Sequence, residues 1–137
     1  MKIIISSRSA IEERAKRPFD KNTALISITD SDKKFPTLYR PPDFLLKEKF
    51  DDISEGAVCA MLKRKPTEEE RKLLRSSFRF ITPEQAREIA DFYKSIREKA
   101  DILICQCEYG ESRSAACAAA ILEYEQERGN DIFSYER

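Results

Sequence analysis

Short apolar runs alternating with helical stretches predict an α/β fold, a three-layer sandwich with a mostly parallel central sheet and flanking helices. Three observations carry this expectation. The runs at residues 2–7, 23–29, 44–50 and 102–106 have the length and apolar content of buried strands. Segments with helix caps and apolar residues at helical spacing lie between and after them. A chain of 137 residues with 41% hydrophobic content suits one domain with a modest core, and no repeat, low-complexity tract or linker divides residues 1–137.

The elements follow in order. Lys2–Ser7 reads as a strand, and Ser9 is placed to cap a helix through about Lys16 with Ala10, Ile11 and Ala15 inward. Thr23–Thr29 is a buried strand ending in Asp30-Ser31-Asp32, and Pro36, Pro41 and Pro42 keep the next stretch irregular. Phe44–Phe50 is a third strand with Leu46 and Phe50 on one face, emptying into Asp51-Asp52. Gly56–Lys65 suits either a helix turn or a buried strand. Thr67 with Glu70 forms a capping box for a short helix whose apolar side is Leu73, Leu74 and Phe78. Thr82-Pro83-Glu84-Gln85 opens the clearest helix, with Ala86, Ile89, Ala90, Tyr93 and Ile96 at helical spacing. Ile102–Gln106 is too short for a helix, and Ser114–Arg128 is a helix stopped by Gly129. In the last eight residues Ile132, Phe133 and Tyr135 have no evident partner, so they either pack back onto the domain or belong to a longer chain.

Composition excludes several chemistries. With 25 basic and 25 acidic residues the formal charge is zero, which gives no overall field for nucleic acid or an anionic membrane; neither is an expected partner. The longest apolar run, Ala115–Leu122, is far short of the roughly 20 residues that cross a bilayer, so the expected location is cytoplasmic. Without histidine, no Ser-His-Asp, Cys-His or HExxH site can form. Three glycines are too few for a nucleotide-binding glycine loop, and the four cysteines contain no CxxC pair. No metal or other cofactor is expected.

The informative stretch is Gln106-Cys107-Glu108-Tyr109-Gly110-Glu111-Ser112-Arg113-Ser114, between a buried strand and a helix start. In an open α/β sheet, ligands bind at the carboxyl ends of the strands. A loop winding into a helix there points successive N–H groups inward with the helix dipole behind them, which suits a phosphate. Gly110 admits the tight turn, and Arg113 offers a planar fork to two phosphate oxygens. The same surroundings lower a thiol's pKa from about 8.5 to roughly 3.5–7.5, so Cys107 becomes a nucleophile without histidine. Attack on a phosphate monoester leaves a cysteinyl-phosphate and an alkoxide or phenoxide, which calls for a carboxylic acid nearby. Ser114 can hydrogen-bond the thiolate and make it a better leaving group. Cys-x5-Arg alone is weak; the preceding strand, the glycine, the following serine and the apolar helix favour the phosphate loop over a structural cysteine whose arginine only makes a salt bridge.

The loop resembles the HCxxGxxR[ST] motif of the protein tyrosine phosphatase superfamily, and its position late in the chain is most similar to the dual-specificity branch. The resemblance covers Phe80 to about Tyr124. It implies the phosphotyrosine phosphatase fold, with Cys107 as nucleophile, Arg113 as phosphate clamp, Ser114 behind the thiolate, and Glu108, Tyr109, Gly110, Glu111 and Ser112 as the backbone cradle. It also implies an acid on an upstream loop, where strand phase favours Asp52 over Asp51; Asp30 and Asp32 are lesser candidates, and a solvated acidic turn is the plain reading. An insertion between Ile53 and Ser77 follows. The family's histidine is Gln106 here, which can donate a hydrogen bond but carries no charge. Glu108 and Glu111 make the rim acidic, favouring a phosphotyrosine protein or peptide, or a small aryl phosphate, over multiply phosphorylated lipids. The expected activity is a metal-independent cysteine phosphatase. Alternatives are an inactive phospho-binding pseudophosphatase and a rhodanese- or arsenate-reductase-like thiolate enzyme. Cys59 and Cys117 read as small core residues, and Cys105, about 6.6 Å along the strand from Cys107, is not expected to act as a resolving thiol.

Overall fold

A computed structural model describes residues 1–52, 60, 62–130 and 134–136. The order is β1 (Lys2–Ser6), α1 (Arg8–Arg14), β2 (Thr23–Thr29), β3 (Phe44–Lys49), α2 (Glu68–Ser77), α3 (Pro83–Ile96), β4 (Ile102–Gln106), α4 (Arg113–Glu127) and β5 (Ser134–Glu136). The strands form one sheet in the order β3-β2-β4-β1-β5, and every described pairing is parallel. Ser134–Glu136 therefore packs back onto the domain, extending the edge beside β1. Gly56–Cys59 and Met61, within the stretch that suited helix or strand equally, lie outside the described residues, as do Ile132 and Phe133.

Strand alternation divides the core into two layers. Ile3, Ile5, Ala24, Ile26, Ile28, Leu103 and Cys105 pack towards Tyr93 and Ile96 of α3 and Ala118 and Ile121 of α4. Leu25 and Ile104 point the other way, onto Ile11 of α1. All seven residues of β2 are buried, as expected for a strand covered on both faces. At α1 the cap is Ser7, not Ser9: Ser7 has the extended conformation directly after β1, and its Oγ accepts the Ala10 N–H at 3.2 Å. Ser9 lies inside the helix. Both capping boxes, at Thr67 and Thr82, are formed. The anticipated apolar side of α2 is not buried, however, with Leu73 67% exposed and Phe78 41%.

A buried carboxylate locks α3 to α4. Glu125, fully buried, accepts Tyr93 Oη at 2.7 Å and Arg97 Nε and Nη2 at 2.8 Å each, with Asn130 Nδ2 at 2.8 Å. The bidentate Arg97 fork, chiefly, brings its pKa down to about 2 from the ordinary 4.5. Because the folded value is the lower one, the stabilisation is complete above about pH 4.5 and is lost as pH falls towards 2. Glu125→Ala is expected to cost about 3 kcal/mol at neutral pH, read from urea midpoints, and to flatten the loss of stability between those pH values.

Candidate active site

The three central strands β2, β4 and β1 end together at one sheet edge, and the loop from Cys107 to Ser112 rises from β4 there into α4. Its start is fastened to the β1–α1 junction: Cys107 N–H donates to Ser6 O at 3.2 Å, and Arg8 N–H donates to Glu108 O at 3.0 Å. Gly110, two residues beyond the second tie, has φ of 70°, in the left-handed region. A Cβ there would stand 3.0 Å from Ser6 C and Ser7 N and 3.1 Å from Ser6 O, all backbone atoms that cannot turn aside. Gly110→Ala combines that clash with an unfavourable φ, so it is expected to destabilise the protein by about 1–3 kcal/mol. Melting of the purified variant, with Cys107 alkylation as the loop probe, checks this.

Cys107 is 2% exposed, and its Sγ lies 3.1 Å from Ser114 Oγ. Burial pushes this thiol up, but the Ser114 hydroxyl and the backbone N–H groups of Ser114, Gly110 and Glu111 outweigh it, leaving the pKa below the ordinary thiol value. Ser112, the residue before α4, makes no side-chain cap bond to the helix. Its hydroxyl instead donates to Asp52 Oδ1 at 2.8 Å. The first-turn N–H groups of α4 thus lack the Oγ acceptor a capping serine usually supplies.

Arg113 is 8% exposed, with its guanidinium turned inward. Nη1 donates to Phe50 O at 2.7 Å and Nη2 meets Asp30 Oδ1 at 2.8 Å. Its Nε is buried without a hydrogen-bond partner among the described residues. An orphaned buried guanidinium donor costs free energy unless an acceptor arrives.

The two candidate acids are held differently. Asp51 Oδ2 accepts Arg79 N–H at 2.7 Å and Ser31 Oγ at 2.7 Å, and Oδ1 accepts Ser31 N–H at 2.9 Å. Burial raises its pKa, but those bonds and the Arg113 charge bring it below the usual carboxylate value. Asp51 is an ionised brace between the β2 and β3 ends. Asp52 is exposed and reaches the loop through Ser112. Asp30 anchors Arg113 through their ion pair. Asp30, Asp32, Asp51 and Asp52 also line a cavity of about 370 Å³ with Ser77 and Phe78.

The rim is less acidic than its sequence suggests. Glu108 is buried, with Arg8 Nη1 at 3.1 Å and Lys33 Nζ at 3.6 Å; only Glu111 and Tyr109 of the loop project into solvent with Ser112. Gln106 is fully buried: it accepts from Ser27 Oγ and donates Nε2 to Cys107 O at 3.0 Å, fixing the peptide that carries the thiol. Cys117 is half-buried and packs against the core, and its sulfur lies 3.9 Å from that of Cys105. Cys59 lies outside the described residues. Asp30, Lys33, Arg8 and Ser27 were not foreseen in these roles; the one local hint was that Asp30 ends β2 at the same edge as the loop.

No group of three or more ligating side chains suited to a metal ion occurs among the described residues, and none of their helices is long and apolar enough to cross a membrane. Comparison with family models, curated proteins and solved structures finds no match to this chain.

Proposed function

We propose that the protein is a metal-independent phosphatase of the protein tyrosine phosphatase type, with the corresponding fold and a cytoplasmic phosphotyrosine protein or peptide, or a small aryl phosphate, as substrate. One observation carries this reading: a thiol of lowered pKa lies 3.1 Å from Ser114 Oγ in the first turn of a helix that Ser112 does not cap, and the arginine that opens this helix is buried with its Nε lacking an acceptor among the described residues. In the reaction, phosphoryl oxygens take the loop N–H groups and the free donors of Arg113, and Cys107 Sγ attacks phosphorus opposite the leaving oxygen. The S–P bond forms as the P–O bond breaks, and Asp52 gives its proton to the departing oxygen. Water then attacks phosphorus as the Asp52 carboxylate takes its proton, and the S–P bond breaks towards a sulfur stabilised by Ser114 Oγ. Gln106 holds the Cys107 carbonyl, so the missing histidine leaves a positioning contact in place.

Hydrolysis of p-nitrophenyl phosphate and a phosphotyrosine peptide in EDTA, with inhibition by vanadate, is the test. Asp52→Asn is expected to slow the peptide reaction by about 100-fold and the p-nitrophenyl reaction less, because nitrophenolate departs without a proton. A folded protein that binds vanadate but releases no phosphate would select the pseudophosphatase reading.

A further inference from the structure

Two thiols outside the catalytic constellation face each other across its base. Cys105 is fully buried on β4, two residues before Cys107; Cys117 is on α4, one turn after Arg113. Their sulfurs are 3.9 Å apart, with the Cys105 thiol donating to Cys117. We propose that this pair is a redox site: hydrogen peroxide closes it into a Cys105–Cys117 disulfide that weakens oxyanion binding in the neighbouring loop.

Access and chemistry favour Cys117 as the first sulfur to react. It lines a cavity of about 410 Å³ between α3 and α4, alongside Phe50, Arg113, Ala120 and Ile121, so a small oxidant reaches it. The hydrogen bond from Cys105 lowers the Cys117 pKa, and the same contact, with burial, raises that of Cys105. Cys117 Sγ attacks one peroxide oxygen, the O–O bond breaks, and hydroxide leaves, giving a sulfenic acid. Cys105 Sγ then attacks the Cys117 sulfur; the S–O bond breaks and the departing hydroxide takes the Cys105 proton as water. Two thiols lose two electrons and two protons, and the peroxide becomes two waters.

Bonding draws the sulfurs from 3.9 Å to about 2.0 Å. Strand β4 is paired on both sides, to β2 and β1, so α4 takes up most of that movement. Arg113 and Ser114 lie in the first turn of α4 and shift with it against Cys107, degrading the cradle.

The functional half rests on the phosphatase reading, so the test separates the two. Cys107→Ser protein is treated with peroxide, alkylated and digested with trypsin. The expected product joins the peptide of residues 100–113 to that of residues 114–128 and disappears on treatment with dithiothreitol. Tungstate affinity of the same protein, by calorimetry, is expected to fall at least about tenfold on oxidation and to recover on reduction. Adding Cys117→Ala, or Cys117→Ser should the alanine protein not fold, is expected to abolish the cross-link and the peroxide effect. Absence of the cross-link overturns the redox site, and a cross-link with unchanged tungstate affinity overturns its coupling to the loop. A reduced protein that binds no tungstate overturns the phosphatase reading and the coupling together, while the cross-link still decides the disulfide.

Discussion

Cys107→Ser is expected to abolish turnover, a loss of about a thousandfold or more, while leaving oxyanion binding within a few-fold of the parent protein. The asymmetry comes from how the loop divides its work. In the proposed reaction, backbone N–H groups and Arg113 bind the oxyanion, and neither depends on the side-chain atom at position 107. Sulfur is the proposed nucleophile because the Ser114 hydroxyl and three N–H groups outweigh burial and lower its pKa. A serine hydroxyl ionises far too weakly for the same surroundings to bring it into range. Iodoacetamide alkylation of Cys107 should titrate with a midpoint below the free-thiol value of about 8.5, and phosphate should protect it. Phosphate release by the serine variant at a rate close to the parent's would remove Cys107 from the chemistry.

Arg113→Ala is expected to lower kcat/KM by about 100- to 1000-fold, the cost of removing one preorganised donor set from a developing oxyanion. A stability loss of about 1–3 kcal/mol accompanies it, because Phe50 O and Asp30 Oδ1 lose their partner at 2.7 and 2.8 Å. Arg113→Lys separates the two effects. A lysine can keep the charge opposite Asp30 but cannot hold Phe50 O, Asp30 and two phosphate oxygens at once. It should recover part of the stability and little of the rate. Urea midpoints and kcat/KM for both variants give the comparison; a lysine variant with full activity would show that charge alone suffices.

Much of this architecture was legible because it is local. Caps at Thr67 and Thr82, the strand runs and the Cys107–Arg113 loop are each written within a few neighbouring residues, and the helix and strand periods expose them. What escaped depends on pairs far apart in the chain. Arg8 and Glu108 meet across 100 residues, and Arg113 finds Phe50 O and Asp30 on two other strand ends. Strand phase favours Asp52 over Asp51, but the ties that separate them, Ser31 and Arg79 on Asp51 and Ser112 on Asp52, come from 20, 28 and 60 residues away. The Ser7 cap was missed for a smaller reason: Ser7 and Ser9 have the same capping chemistry, and only the end of β1 decides which one is extended.

The order β3-β2-β4-β1-β5 also governs when the site can come into being. Within this sheet β1 is made before the two strands that flank it, β4 and β5. During synthesis β1 must wait, apolar and without a partner, until residue 106 has emerged. Only then can Ser6 receive the Cys107 N–H and the loop take its shape. Assembly of the Cys107–Ser112 loop is therefore a late event in the life of the nascent chain, and until then the waiting β1 edge is open to wrong pairing.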